Sequence, residues 1–158
     1  MLRWLALSGV IVAADQATKY AAVQYLAGRT VEVTPFFNLV LAYNTGAAFS
    51  ILADAAGWQR GLFVGIALIA AAWIVWLLRR YPHQRLFALA LSLVLAGAVG
   101  NVVDRILVGA VVDFLDFHAF GKHWPAFNVA DSAITCGAVL LVWDALRPAP
   151  SRDAGAKI

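Results

Sequence analysis

Apolar residues in this chain gather in four blocks, at approximately 4–25, 61–78, 86–103 and 129–146. Each is near the roughly 20 residues a helix needs to cross a bilayer. The second is the cleanest: Gly61 through Leu78 carries no charge and is flanked by Arg60 and by Arg79 and Arg80. The first is uncharged only from Trp4 to Ala14, after which Asp15, Gln16 and Lys19 interrupt it, so a cleaved signal peptide with one basic residue, Arg3, is its alternative reading. Two longer connections, 26–60 and 104–128, separate the blocks. In the first, Thr30–Thr34 alternates with the strand period, Pro35 breaks it, and Phe36–Tyr43 continues as an apolar, β-prone run, which predicts a small sheet or cradle. In the second, Arg105–Val108, Gly109-Ala110 and Val111–Phe114 predict a short hairpin at the interface. Residues 148–158 mix Pro, Ala, Ser, Gly and charges and predict a mobile tail.

Composition turns these blocks into membrane spans. The chain has 158 residues, 63% apolar and 13% charged, where a soluble domain has roughly 45–50% and 25%. A mean hydropathy of +0.79 leaves too little polar surface to cover a sphere in water. The expected fold class is an all-α membrane protein, a single domain over 1–158, with four transmembrane helices and a small extracytoplasmic β-cradle. The single cysteine, Cys136, excludes an internal disulfide. A net charge of +3 is spread along the chain rather than gathered on one element, which speaks against nucleic acid. The charge works instead as an orientation signal. With a cytoplasmic N-terminus, seven Lys and Arg lie inside and five outside, and three of the seven crowd the short Arg79–Arg85 connection. Both termini are then expected inside and both long loops outside.

Ionisable residues within spans are costly, and each is by default a functional-site hypothesis. Asp15 and Lys19 are four apart on one helical face, a pairing that also serves simply to neutralise both. Asn101, Asp104 and Arg105 share a face at the outer end of the third span, where Asp104 and Arg105 also read as a local ion pair. Asn128 and Asp131 are three apart where the fourth span begins, the spacing of an N-cap and an acidic first turn. All these sets, with the loop residue Asp113, lie at the outer face, so at least four carboxylates can converge at one depth. Two that share a proton would divide into one ionised and one protonated group, as in aspartic proteases. Other chemistries fit less well. His118 and His123 lack a matched third ligand for zinc, the serines lack a base, and Cys136 lies among apolar neighbours.

Five segments in order, covering most of the chain, resemble bacterial lipoprotein signal peptidase (signal peptidase II). They are Asp15-Gln-Ala-Thr-Lys19, Asn44-Thr-Gly46-Ala-Ala48-Phe49, Gly97-Ala-Val-Gly100-Asn101-Val-Val-Asp104-Arg105, Val111-Val112-Asp113-Phe114 and Trp124-Pro125-Ala-Phe127-Asn128-Val-Ala130-Asp131. One departure is Ala96, where the family more often has a glycine; alanine is also small enough for close helix packing. The resemblance implies a multi-pass aspartic endopeptidase of the bacterial inner membrane with its site near the outer leaflet. Its substrate would be a diacylglyceryl-modified prolipoprotein, cut just before the lipidated cysteine. The dyad would fall on Asp113 and Asp131, supported by Asp15, Lys19, Asn44, Gly46, Asn101, Asp104, Arg105 and Asn128. It implies no metal, cofactor or obligate protein partner beyond substrate and membrane lipid, and a first span that is retained. The acyl chains are expected to remain in lipid beside the bundle. A proton-coupled transporter is the competing reading, but it would place carboxylates at several depths, and the cytoplasmic half of every span is nearly free of them.

Overall fold

The computed structural model describes residues 1–46 and 58–147. The tail expected at 148–158 and the Ala48-Phe49 end of the second matching segment lie outside the described residues. The chain runs α1 (Leu2–Tyr25), β1 (Val31–Thr34), β2 (Phe37–Asn44), α2 (Trp58–Arg80), α3 (Arg85–Leu107), β3 (Val111–Ala119), β4 (Lys122–His123) and α4 (Val129–Leu146). Helices thus occupy the four apolar blocks, the middle two extending beyond the limits set by hydropathy. Among the described residues α2, α3 and α4 are long and apolar enough to cross a membrane. α1 has the length, but Asp15, Gln16 and Lys19 dilute its second half.

α3 is the hub. Of its most apolar stretch 50% is buried within the molecule, against 11% for α2 and 17% for α4, and α1, α2 and α4 all pack on it. Its small residues permit this. A Cβ at Gly97 would run into the backbone oxygen of Ala130 on α4. Ala96 is only 1% exposed, so the methyl that replaces the family's more usual hydrogen fits. At one end of the bundle Ile74, Leu78, Ala88, Leu91 and Leu95 form an apolar core with Trp4 and Leu5 packed on it. α1 buries an unusual face. Its buried residues are Ser8, Asp15, Lys19 and Ala22, a mostly polar line at helical spacing, while apolar side chains such as Val10 point outward. That arrangement suits a helix whose outer solvent is lipid and whose partners are polar.

The four strands form one antiparallel sheet in the order β1-β2-β3-β4. Both expected strands of the first loop are present, paired Val31↔Leu39 and Glu32↔Asn38. The second loop differs from expectation. Arg105–Leu107 continues α3, and Val111–Phe114 pairs with β2 (Asn44↔Val111, Ala42↔Asp113) instead of folding back on Arg105–Val108. A short apolar run carries no periodicity that separates strand from buried helix end, and here α3's side chains at Asp104 and Arg105 have partners that hold the helix. The sheet sits on the bundle through Phe114, which packs with Ala22 and Leu26 at the end of α1. Phe127 closes it from the other side: its carbonyl accepts from Phe114 N and Leu115 N at 3.0 and 2.9 Å.

Candidate active site

Three elements bring the polar residues together: the second half of α1, the C-terminal end of α3, and the segment from β3 into the first turn of α4. Lys19 is the centre of the inner layer. Its side chain is 3% exposed, and its ammonium lies 2.9 Å from Asp15 Oδ2, 2.8 Å from Asp104 Oδ2 and 3.1 Å from Asn101 Oδ1. The two carboxylates also hold backbone. Asp15 Oδ1 accepts from Ala130 N in the first turn of α4 at 2.8 Å, and Asp104 Oδ2 accepts from Val112 N beside Asp113 at 3.1 Å. A buried ion cluster of this kind holds together only when every lone pair finds a donor. Gly100 makes room for it, since a Cβ there would lie 2.6 Å from Asp15 Oδ2.

The outer layer holds the two remaining aspartates. Asn128 is completely buried, and its amide nitrogen donates to Asp113 Oδ1 at 2.7 Å and to Val112 O at 3.2 Å. Its Oδ1 accepts from Asp131 N at 2.9 Å, while Asn128 N donates to Asp131 Oδ2 at 3.3 Å. Asn128 is therefore the N-cap of α4 in a reciprocal capping box, and the same side chain ties the cap to Asp113. Asn101 Nδ2 donates to Asp131 Oδ1 at 2.8 Å, linking Asp131 to the Lys19 layer. Asn44 on β2 hydrogen-bonds Asp113 from the opposite side. Burial first, and then the facing Asp131, push the Asp113 carboxyl up to about 7; the bonds from Asn44 and Asn128 and the charge of Lys19 oppose this.

Every residue singled out in the sequence joins this constellation, with one change of partner. Asp104 pairs with Lys19 rather than with its neighbour Arg105, because adjacent residues on a helix point about 100° apart. Arg105 instead donates to Gly46 O at 2.8 Å and to Asn101 O at 3.3 Å, and its guanidinium lies over the Phe63 ring. It thus fastens the end of β2 to the bundle. Gln16 is the residue that the sequence reading passed over. Its amide donates to Asp104 Oδ1 at 2.8 Å and to Gly100 O and Asp15 Oδ2 at 3.2 Å each. Its place one turn before Lys19 (i, i+3) was the available signal.

Asp131 lines a cleft of about 830 Å³ between α2, α3 and α4, with Asn101, Arg105, Phe63, Ile66 and Phe127 among its walls. Asp113 lies behind that wall, 2% exposed. Two carboxyls held by asparagine amides, one proton-rich and one facing a cleft, form an arrangement suited to general acid and base work on a bound peptide.

The chain matches the family described as signal peptidase (SPase) II, Peptidase_A8, over residues 7–147. It belongs to the signal peptidase II family. That family's members are aspartic peptidases, and this one is a multi-pass membrane enzyme with lipoprotein signal peptidase function. The lipoprotein signal peptidase of Cupriavidus necator is 58% identical over 147 residues, covering 92% of this chain and 84% of the relative. That of Burkholderia thailandensis is 55% identical over 145 residues, covering 91% and 87%. A bacterial membrane enzyme solved by the in meso method at 1.9 Å resolution superposes with a TM-score of 0.82 at 34% identity, over 94% of this chain and 96% of that one.

Proposed function

We propose that this signal peptidase II family member removes the signal peptide from diacylglyceryl-modified prolipoproteins, cutting just before the lipidated cysteine, with Asp113 and Asp131 as its catalytic pair. The observation that carries this reading is the joint hold of Asn128 on both aspartates, which ties the buried Asp113 to Asp131 in the cleft wall. Asp131 faces the cleft and is assigned as the ionised base that takes a proton from the attacking water. Asp113, buried and pushed up to about 7, is assigned as the acid that donates to the developing oxyanion and then to the leaving amine. Asn44, Asn101 and Asn128 orient the two carboxyls without adding charge. Asp15, Lys19 and Asp104 hold the helix ends that carry them, and Arg105 with Gly46 shapes the cleft wall.

The cleft continues from Asp131 past Ile134 to Cys136 on α4, and Ile66 faces it from α2. Its apolar depth accommodates the membrane-embedded part of the substrate. In this reading the domain is one unit over 1–158 in the bacterial inner membrane, with both termini cytoplasmic and the cleft near the outer face. The test is turnover of a diacylglyceryl-modified prolipoprotein peptide by purified enzyme. Asp113→Asn and Asp131→Asn are each expected to lose at least about 10²-fold in kcat, the lower range for loss of a positioned acid or base. Full activity in either variant removes that residue from the pair.

A further inference from the structure

β3 carries Asp113 near its start and ends, six residues further on, in a tight hairpin with β4. The turn residues Phe120 and Gly121 both have positive φ, 50° and 73°. A phenylalanine in the left-handed region is uncommon, and this one is fully exposed at the tip. On the body of the hairpin His118 lies directly across from His123, and the two imidazoles stack with centroids 5.0 Å apart. Asp116 is buried and already engaged: both its oxygens are 2.9 Å from His123 Nδ1, and Asn38 Nδ2 donates to Oδ2 at 3.1 Å. Nε2 is therefore the nitrogen that His123 can offer to a ligand. His118 Nε2 is buried with no hydrogen-bond partner.

These imidazoles and Lys122 line a second pocket, of about 470 Å³, with Phe36, Phe117 and Trp124 as its apolar walls. Two imidazoles beside an engaged carboxylate make a poor metal centre, and the described residues contain no group of three or more side chains suited to hold one. An ammonium beside two imidazoles, whose ring nitrogens donate when protonated, suits anionic oxygen instead. The depth of the pocket narrows the source. Trp124 lines both this pocket and the cleft, where Phe63 and Ile66 of the spanning helix α2 are also wall residues. The pocket thus lies toward the N-terminal end of the apolar helix α2, and its tryptophan is the side chain that favours the headgroup level.

We propose that the β3–β4 hairpin is a lipid-headgroup site: Lys122, His118 and His123 take the phosphate of an anionic phospholipid while Phe120 enters the interfacial layer. A zwitterionic headgroup also brings a cation, and the one carboxylate beside the pocket, Asp116, is buried and engaged by His123 and Asn38. The bound lipid would tether the strand that carries Asp113 to the outer leaflet.

Hydrogen exchange of the full chain in lipid nanodiscs reads this without catalysis, so it stands or falls apart from the assignment of the aspartates. Amides of residues 117–124 should exchange at least about threefold more slowly in discs containing phosphatidylglycerol than in pure phosphatidylcholine. Lys122→Gln and the double variant His118→Gln/His123→Gln should erase that difference, while Arg29→Gln, which removes an outer charge away from the pocket, should keep it. Equal exchange in both lipids overturns the proposal. Equal loss in Arg29→Gln also overturns it, since the response would then be general surface attraction. Protection produced as well by inorganic phosphate in phosphatidylcholine discs overturns the lipid source in favour of a free-anion site.

Discussion

Asn128 does two separable jobs with one side chain. Its oxygen caps α4 by accepting from Asp131 N, and its nitrogen holds Asp113. Serine keeps the cap but has no amide to reach Asp113. Asn128→Ser is therefore expected to lose under about 1 kcal/mol of stability through the cap, while Asn128→Ala loses about 1 kcal/mol more. Both should lose catalytic turnover to a similar degree, measured as kcat beside thermal unfolding. Asp113 makes a pH prediction of the same grain. Its carboxyl sits near 7 when folded and in the ordinary carboxylate range when unfolded, so the folded chain holds a proton that the unfolded chain has released. Its contribution to stability is complete at low pH and is lost as pH rises through about 7. Wild type should melt lower at about pH 8 than at about pH 5, and Asp113→Asn should flatten that difference. An unchanged slope in the variant would remove Asp113 as its source.

Helices and strands were legible to different degrees. The four helices follow from apolar length, and β1 and β2 from alternation around Pro35. The end of α3 was misread because Arg105–Leu107 is too short and too apolar to show a period; what keeps it helical is a set of tertiary partners, Arg105 to Gly46 among them. Asn128 and Asp131 could be read as cap or as site because both readings demand the same spacing, and the structure contains both. Gln16 was read only as an interruption of the first apolar block, although it bonds Asp104 as closely as Lys19 does. Lys19 belongs to this scale, since it joins α1 to α3 and, through Asp15, to the start of α4. Lys19→Met leaves Asp15 and Asp104 buried without their cation, a loss of about 3–5 kcal/mol. The variant should be recovered from membranes with a markedly lower Tm in detergent, and activity should fall even where the folded fraction is matched.

At the scale of the whole molecule one seam between the sheet and the bundle is polar: Val112, Asn128 and Ala130 are all held there by buried polar side chains. Orientation in the membrane is the remaining property that a simple measurement checks. In a Cys136→Ala background, a cysteine at His83 in the α2–α3 turn is expected to react with an impermeant thiol reagent only after the cytoplasmic side is opened. A cysteine at Phe120 should react from the outside in intact spheroplasts. The reverse pattern would invert the topology.

The polar line on α1 has a consequence for how the protein is made. An aspartate or lysine in mid-membrane is opposed by about 2.5–3.5 kcal/mol when a helix enters lipid alone, and the partners that neutralise Asp15 and Lys19 outside α1 come from α3 and α4, far downstream in the chain. While it waits for them on the ribosome, α1 is an incomplete span. Its second half is expected to settle across the bilayer only when α3 arrives, so that biogenesis and formation of the polar centre become one event. A nascent chain halted before α3 should show α1 shallow and still within reach of the insertion machinery.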